Sequence, residues 1–130
     1  MVTRFEDLDT WKRSRILVKQ IYDLTKRNEF AKDFVLKDQV RRAVVSISSN
    51  IAEGFERGGN KEFIQFLYIA KASAGELRSQ IYIALDLNYV NEKEFNILKS
   101  DLNKISSMIY NLIISVQETE LKGLKFKGTR

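Results

Sequence analysis

Four long stretches of the chain repeat their apolar residues at helical spacing. In the last of them Phe95, Leu98, Leu102, Ile105, Ile109, Leu112 and Val116 follow at intervals of 3, 4, 3, 4, 3 and 4. That is the seam of a helix packed in a bundle. Asn91 and Glu94 stand three apart at its start, where each side chain can accept from the other's backbone N–H. The third stretch runs from about Lys61 to Leu87, with Phe63, Phe66, Leu67, Ala70, Ala74, Leu77, Ile81 and Ala84 on its inward face. Gly58 and Gly59 are placed to end the helix before it, and Asn60 to cap this one. The second stretch, about Lys37 to Arg57, turns Val40, Val44, Ile47 and Ile51 inward. The first, about Leu8 to Arg27, uses Leu8, Trp11, Val18, Ile21 and Leu24 or Thr25.

Residues 28–36 read as an ordinary connection, and Asn88 and Tyr89 as a short turn. Short connections favour antiparallel neighbours, so the pattern predicts an all-α, up-down-up-down four-helix bundle. The domain is expected over residues 1–118, followed by a basic, flexible tail over 119–130.

Composition narrows the function classes. The chain has no Pro to break its helices and no Cys for a disulfide framework or thiolate metal site. With a charged N-terminus and no long apolar run, a cytoplasmic protein without a membrane segment is expected. The net charge of +5 invites a nucleic-acid partner, but Lys122, Lys125, Lys127 and Arg130 account for +4 of it. Residues 1–120 hold 18 bases against 17 acids, so the body is close to neutral.

Two faces exceed what a simple bundle needs. At 100° per residue, Gln39, Arg42, Ser46, Ser49, Asn50, Glu53 and Arg57 gather on about a third of the second helix. Small hydroxyl and amide groups suit close approach and directed hydrogen bonds better than solvation, so this stripe is expected to be a polar interface. Glu53 is expected to hold Arg57, Arg42 or Arg78 in a partly desolvated network. Arg42 belongs to the stripe and is expected to be structural. Arg41 lies on the flank with Val45, Ser48 and Ala52 and is expected to be the exposed, phosphate-facing member. The third helix turns Tyr68, Ile69, Ala72, Gly75, Tyr82 and Ile83 away from its core seam, which predicts self-association through Tyr68, Ile69, Ala72, Tyr82 and Ile83.

Catalysis is not expected. The chain has no His, which removes the commonest general base and any Glu-x-x-His metal pair. Ser46, Ser48 and Ser49 lack an obvious activating base, and neither a metal nor a cofactor is implied. The run Gly54-Phe55-Glu56-Arg57-Gly58-Gly59-Asn60-Lys61 lacks the Gly-Lys-Ser/Thr spacing of a phosphate loop and reads as helix termination.

The segment from Asp38 to Phe55, which includes Arg41-Arg42-Ala43-Val44-Val45-Ser46-Ile47-Ser48-Ser49-Asn50-Ile51-Ala52-Glu53-Gly54, is more specific than any of these motifs. It resembles the four-helix-bundle proteins encoded within intervening sequences of bacterial large-subunit ribosomal RNA genes. The likeness continues through Lys61-Glu62-Phe63-Ile64-Gln65-Phe66-Leu67-Tyr68-Ile69-Ala70, Ser73, Glu76 and Leu77. It also takes in Leu8 with Trp11 and the turn Leu87-Asn88-Tyr89-Val90, over roughly residues 5–115. The resemblance implies a left-handed four-helix bundle assembled as a ring-like homopentamer. It further implies kinship with accessory proteins of diversity-generating retroelements, which bind nucleic acid and a reverse transcriptase. Two positions depart from the family's pattern: Ser48 stands where Pro is frequent, and Ala72 where Gly is.

The expectation is therefore a non-catalytic homo-oligomer, pentameric by resemblance, whose partners are copies of itself and structured RNA or a nucleic-acid-processing protein. Arg41, Arg57, Lys61, Lys122, Lys125 and Lys127 are the candidate contacts to nucleic acid. A protein-interaction scaffold with no nucleic-acid role is the alternative.

Overall fold

The structure, a computed structural model, describes residues 2–128, and the side chains among them as far as position 119. A 3-10 turn at Phe5–Asp7 leads into α1 (Asp9–Thr25), followed by the short α2 (Asn28–Lys32) and then α3 (Phe34–Glu56), α4 (Asn60–Asp86) and α5 (Glu92–Gly128). Among the described residues there is no strand. The protein is all-α, with four long helices.

The ends of the helices follow local chemistry. Asp33 caps α3, its Oδ1 accepting from the Leu36 N–H at 3.0 Å. Asn91 and Glu94 form the expected reciprocal cap of α5: the Asn91 N–H donates to Glu94 Oε1 at 3.0 Å and the Glu94 N–H to Asn91 Oδ1 at 2.8 Å. Gly58 ends α3 at φ +82°, where an L side chain would be strained. Asn88 takes the equivalent place after α4 at φ +62°, with the Tyr89 and Asn88 N–H groups donating back to the Ala84 and Leu85 carbonyls. Asn60 is the first residue of α4 rather than its cap; the capping position falls to Gly59, which has no side chain to accept from the helix.

Most of the expected core is buried. Val40, Val44, Ile47 and Ile51 of α3 are fully enclosed, as are Leu67, Ala70, Leu77 and Ala84 of α4. In α5 the expected seam holds from Phe95 to Ile109 and then drifts: Ile113 is buried while Leu112 and Val116 are only half-buried. A straight helix has 3.6 residues per turn, so a strict 3–4 alternation rotates off the core within a few turns. In α1 the buried set is Thr10, Ser14, Leu17, Ile21 and Thr25, with Trp11 and Val18 on its margin. Ser14 and Thr25 satisfy their hydroxyls on the carbonyls of Trp11 and Ile21, which lets polar residues occupy a core row.

The connection at 28–36 contains the helix α2, too short to show periodicity. Its anchor is Phe30, 2% exposed, stacked on Tyr89 with ring centroids 5.1 Å apart. The Tyr89 hydroxyl donates to Asp33 Oδ2 at 2.7 Å, so the turn after α4 is pinned to the start of α3. The Leu36 N–H, then the Tyr89 hydroxyl, hold the Asp33 carboxyl below its usual range, and the same bond raises the Tyr89 hydroxyl.

Candidate nucleic-acid and self-association surfaces

The polar stripe of α3 divides between an internal network and a wet rim. Ser46 Oγ lies 2.9 Å from Ser73 Oγ of α4, and the Asn50 amide donates to Ser46 Oγ at 2.9 Å and to the Ser46 carbonyl at 2.8 Å. Hydroxyls fit here because the two helices run close. A Cβ on Gly54, one turn beyond Asn50, would stand 2.5 Å from Phe66 Cβ. Gly54 thus seats α4 from inside α3, and the glycines that terminate the helix are the two that follow it.

Glu53 meets Arg57 at 3.8 Å, with both side chains about half exposed at 55% and 52%. That is a solvated pair, not the desolvated network expected, because both side chains lie near the end of α3 and stay half in water. Arg57 also lies over the Phe66 ring at 5.1 Å, while Arg42 pairs with Asp38 and Arg78 bonds Asn103.

The two adjacent arginines exchange their expected roles. Arg41 Nε donates to Thr25 Oγ1 at 2.8 Å, and its guanidinium sits 4.4 Å over the Tyr22 ring. Thr25 is fully buried and passes its own proton to the Ile21 carbonyl. Arg41 is therefore the structural member, stitching α3 to α1. Arg42, with its side chain 80% exposed, is the solvated one. Arg41 does lie on the flank of α3, as its angle predicts; what fills that flank is α1, which one helix's periodicity does not reveal. Tyr22, Arg41, Arg42, Ser46, Ser49 and Asn50 line a shallow groove of about 500 Å³.

Arg57 and Lys61 stand exposed on either side of the α3–α4 turn. Lys122, Lys125 and Lys127 lie outside the described side chains. The outward face of α4 is as expected: Tyr68, Ile69, Tyr82 and Ile83 are 43–48% exposed, and Ala72 is exposed beside them. A Cβ added at Gly75 would meet nothing within 4 Å, so that part of the helix is open to close approach. Tyr82 is partly absorbed by α5, its ring edge-on to Phe95 at 4.7 Å.

Three features are not legible from periodicity. One is the Asp33–Tyr89 bond, which joins residues 56 apart. Another is an ion pair of Arg27 with Glu94 at 2.6 Å. The Asn91 N–H, with Arg27 assisting, lowers the Glu94 carboxyl. The third is the outer face of α1, where Lys12, Arg15, Lys19 and the half-exposed Ile16 border a concavity of about 600 Å³. The acid-free run Thr10–Tyr22 is the one sequence signal for it. Among the described residues no group of three potential ligands is placed to hold a metal ion, and no helix is long and apolar enough to cross a membrane.

The family model of the 23S rRNA-intervening sequence protein matches residues 6–111. The chain belongs to this family. A crystal structure of a protein of unknown function from the S23 ribosomal protein family of Bacteroides thetaiotaomicron has the same fold, with a TM-score of 0.74 at 22% identity. The alignment covers 80% of this chain and 97% of that one. Among curated proteins, none matches. Residues 6–111 take in α1 to α4 and the first half of α5, including the Ser46–Asn50–Ser73 network and the outward apolar face of α4.

Proposed function

We propose that this intervening-sequence protein is a non-catalytic, cytoplasmic homo-oligomer, a ring-like pentamer, that binds structured RNA or a ribonucleoprotein. The observation that carries the reading is the outward face of α4, where four large apolar side chains stay 43–48% exposed in the single chain. Apolar pairs left in water at both ends of one helical face, with Ala72 and the open Gly75 between them, mark an association surface. The bundle is read as antiparallel, up-down-up-down and left-handed; the pairs Ser46–Ser73 and Gly54–Phe66 on α3 and α4, and Arg78–Asn103 and Tyr82–Phe95 on α4 and α5, support the alternating direction. The family's tie to ribosomal RNA genes supports an RNA partner, and copies of a weakly basic body in one ring sum their fields. Ser46 is committed to Ser73 and Asn50, which supports the non-catalytic reading.

A protein scaffold without nucleic acid is the second reading. It is favoured by the commitment of Arg41 to Thr25 and Tyr22 and of Arg42 to Asp38, which removes cations from the α3 groove.

Sedimentation equilibrium tests the assembly. A stable oligomer at micromolar concentration is expected, and Ile69→Glu with Ile83→Glu is expected to return it to the 15.1 kDa monomer with helicity retained. A wild-type chain that stays monomeric would remove the reading. Titration with a stem-loop RNA between about 50 and 200 mM salt separates the two partners, since phosphate binding weakens steeply over that range and protein contacts much less.

A further inference from the structure

We infer that the outward face of α1 takes the phosphate backbone of the RNA, through Lys12, Arg15 and Lys19. This rests on the RNA-binding reading above and replaces Arg41 as the contact on the folded body.

Between Asp9 and Asp23 the chain carries four bases and no acid. Elsewhere in the body bases are interspersed with acids, and several are drawn into pairs: Arg4 with Asp7, Arg27 with Glu94, Lys32 with Glu29, Arg42 with Asp38 and Arg57 with Glu53. Among the described residues, Lys12 and Arg15 pair with no carboxylate. Lys19 meets Asp23 at 3.2 Å, where Asp23 is shared with Lys26. The densest acid-free run of bases on the folded body therefore lies on this one helix, and its positive field is left largely uncompensated.

The three bases are spaced 3 and 4 apart, which sets them within about 60° of arc over about 10 Å of helix. All three are exposed and border the same concavity of about 600 Å³ with Ile16, Val18, Gln20 and Asp23. Arg15 is held over the Trp11 ring, its guanidinium carbon 5.7 Å from the centroid, which steadies the side chain without neutralising it.

The composition of the face selects the partner. An acidic helix of another protein would need an apolar strip beside the charges, and a bilayer surface would need one to insert. Ile16, 52% exposed, is the single large apolar residue that α1 turns outward. A row of bases with one exposed apolar side chain, beside the half-buried Val18, matches a phosphate chain with a sugar edge against Ile16. Arg41 is unsuited to that role, because it is only half-exposed and its Nε is spent on Thr25, which ties the side chain down against α1.

The test uses the full chain and a fluorescently labelled stem-loop RNA, with affinity followed by anisotropy from about 50 to 200 mM salt. The triple variant Lys12→Ala, Arg15→Ala, Lys19→Ala is expected to lose at least about tenfold in affinity at low salt. Its salt slope should flatten by about two to three, one for each phosphate that is no longer neutralised. A charge-keeping triple, Lys12→Arg, Arg15→Lys, Lys19→Arg, is expected to bind as the wild type does, which separates charge from fold. Lys122→Ala with Lys125→Ala and Lys127→Ala is the comparison for the chain's other basic cluster. An unchanged slope in the α1 alanine variant, beside clear binding by the wild type, overturns the inference while leaving RNA binding intact. No affinity in the wild type removes the RNA reading itself, and this inference with it. Displacement of the RNA by poly-glutamate at equal charge, or a monomeric sedimentation profile of the alanine triple, would reassign the face to an acidic protein or to a second copy, and overturns it too.

Discussion

The seam between α3 and α4 and the seam between α1 and α5 are built from the same kind of amphipathic helix, yet they pack very differently. Along α3–α4, Gly54 admits Phe66, Ser46 bonds Ser73, and fully enclosed Ile47, Ile51 and Leu67 fill the interior. Along α1–α5, Ile97 is 52% exposed, and Arg27 and Glu94 close one end through a partly solvated pair. The difference lies in side-chain size at the crossing. Small residues bring α3 and α4 together, so that Ser46 and Ser73 meet, whereas Gln20, Leu24, Arg27, Glu94, Ile97 and Leu98 line an open groove of about 330 Å³ between α1 and α5. Tight packing serves the bundle's stability; the loose side leaves α1 free to present charge.

The largest expected effect follows from the tight seam. Gly54→Val places methyl groups where Phe66 already lies, and is expected to cost about 3 kcal/mol, read from the urea midpoint. Gly54→Ala, relieved in part by better helix propensity, should cost about 1–2 kcal/mol. A neutral result for both would show that α4 can move away cheaply, and the contrast between the seams would collapse.

Arg41→Ala comes next. It strands the lone pair of buried Thr25 Oγ1 that accepts from Arg41 and uncovers Tyr22, for an expected loss of about 1–2 kcal/mol in chemical denaturation. Arg42→Ala, on an exposed helical pair, should cost no more than about 0.5 kcal/mol. The reverse order would restore the assignment that helical periodicity alone suggests.

Acid should act first where the turns are pinned. Asp33 and Glu94 are both held below their ordinary carboxylate range, Asp33 chiefly by the Leu36 N–H and Glu94 chiefly by the Asn91 N–H. A lowered folded-state pKa stabilises the protein above the unfolded value of about 4, and that stability is lost as the pH falls through the folded value. Thermal stability is therefore expected to decline below about pH 4. Asp33→Asn with Glu94→Gln, which keep the cap geometry, should shallow that decline. An identical acid limb in the double variant would mean other carboxylates set it.

The smallest effect is expected on the open seam. Ile97→Ala removes a half-exposed side chain and should change stability by less than about 0.5 kcal/mol in the monomer. A loss comparable to that of Gly54→Ala would mean that the α1–α5 groove is closed in solution.

By itself the sequence determined the elements and most of their inward faces. Apolar residues at helical intervals have one way to leave water together, so Val40, Val44, Ile47 and Ile51, the α4 seam and the Asn91–Glu94 cap are all legible in the order of residues. So is the outward placement of Tyr68, Ile69, Tyr82 and Ile83, because a face is defined by its own helix. What only the tertiary structure decided depends on a second element. Whether Arg41 or Arg42 is bound depends on α1 lying over one flank of α3. Whether Gly54 ends a helix or seats one depends on the approach of Phe66. Asp33 and Tyr89 meet across 56 residues because the turn after α4 comes back to the start of α3. Periodicity describes a helix against solvent; the partner of each polar group is set by which neighbour reaches it, and at what distance.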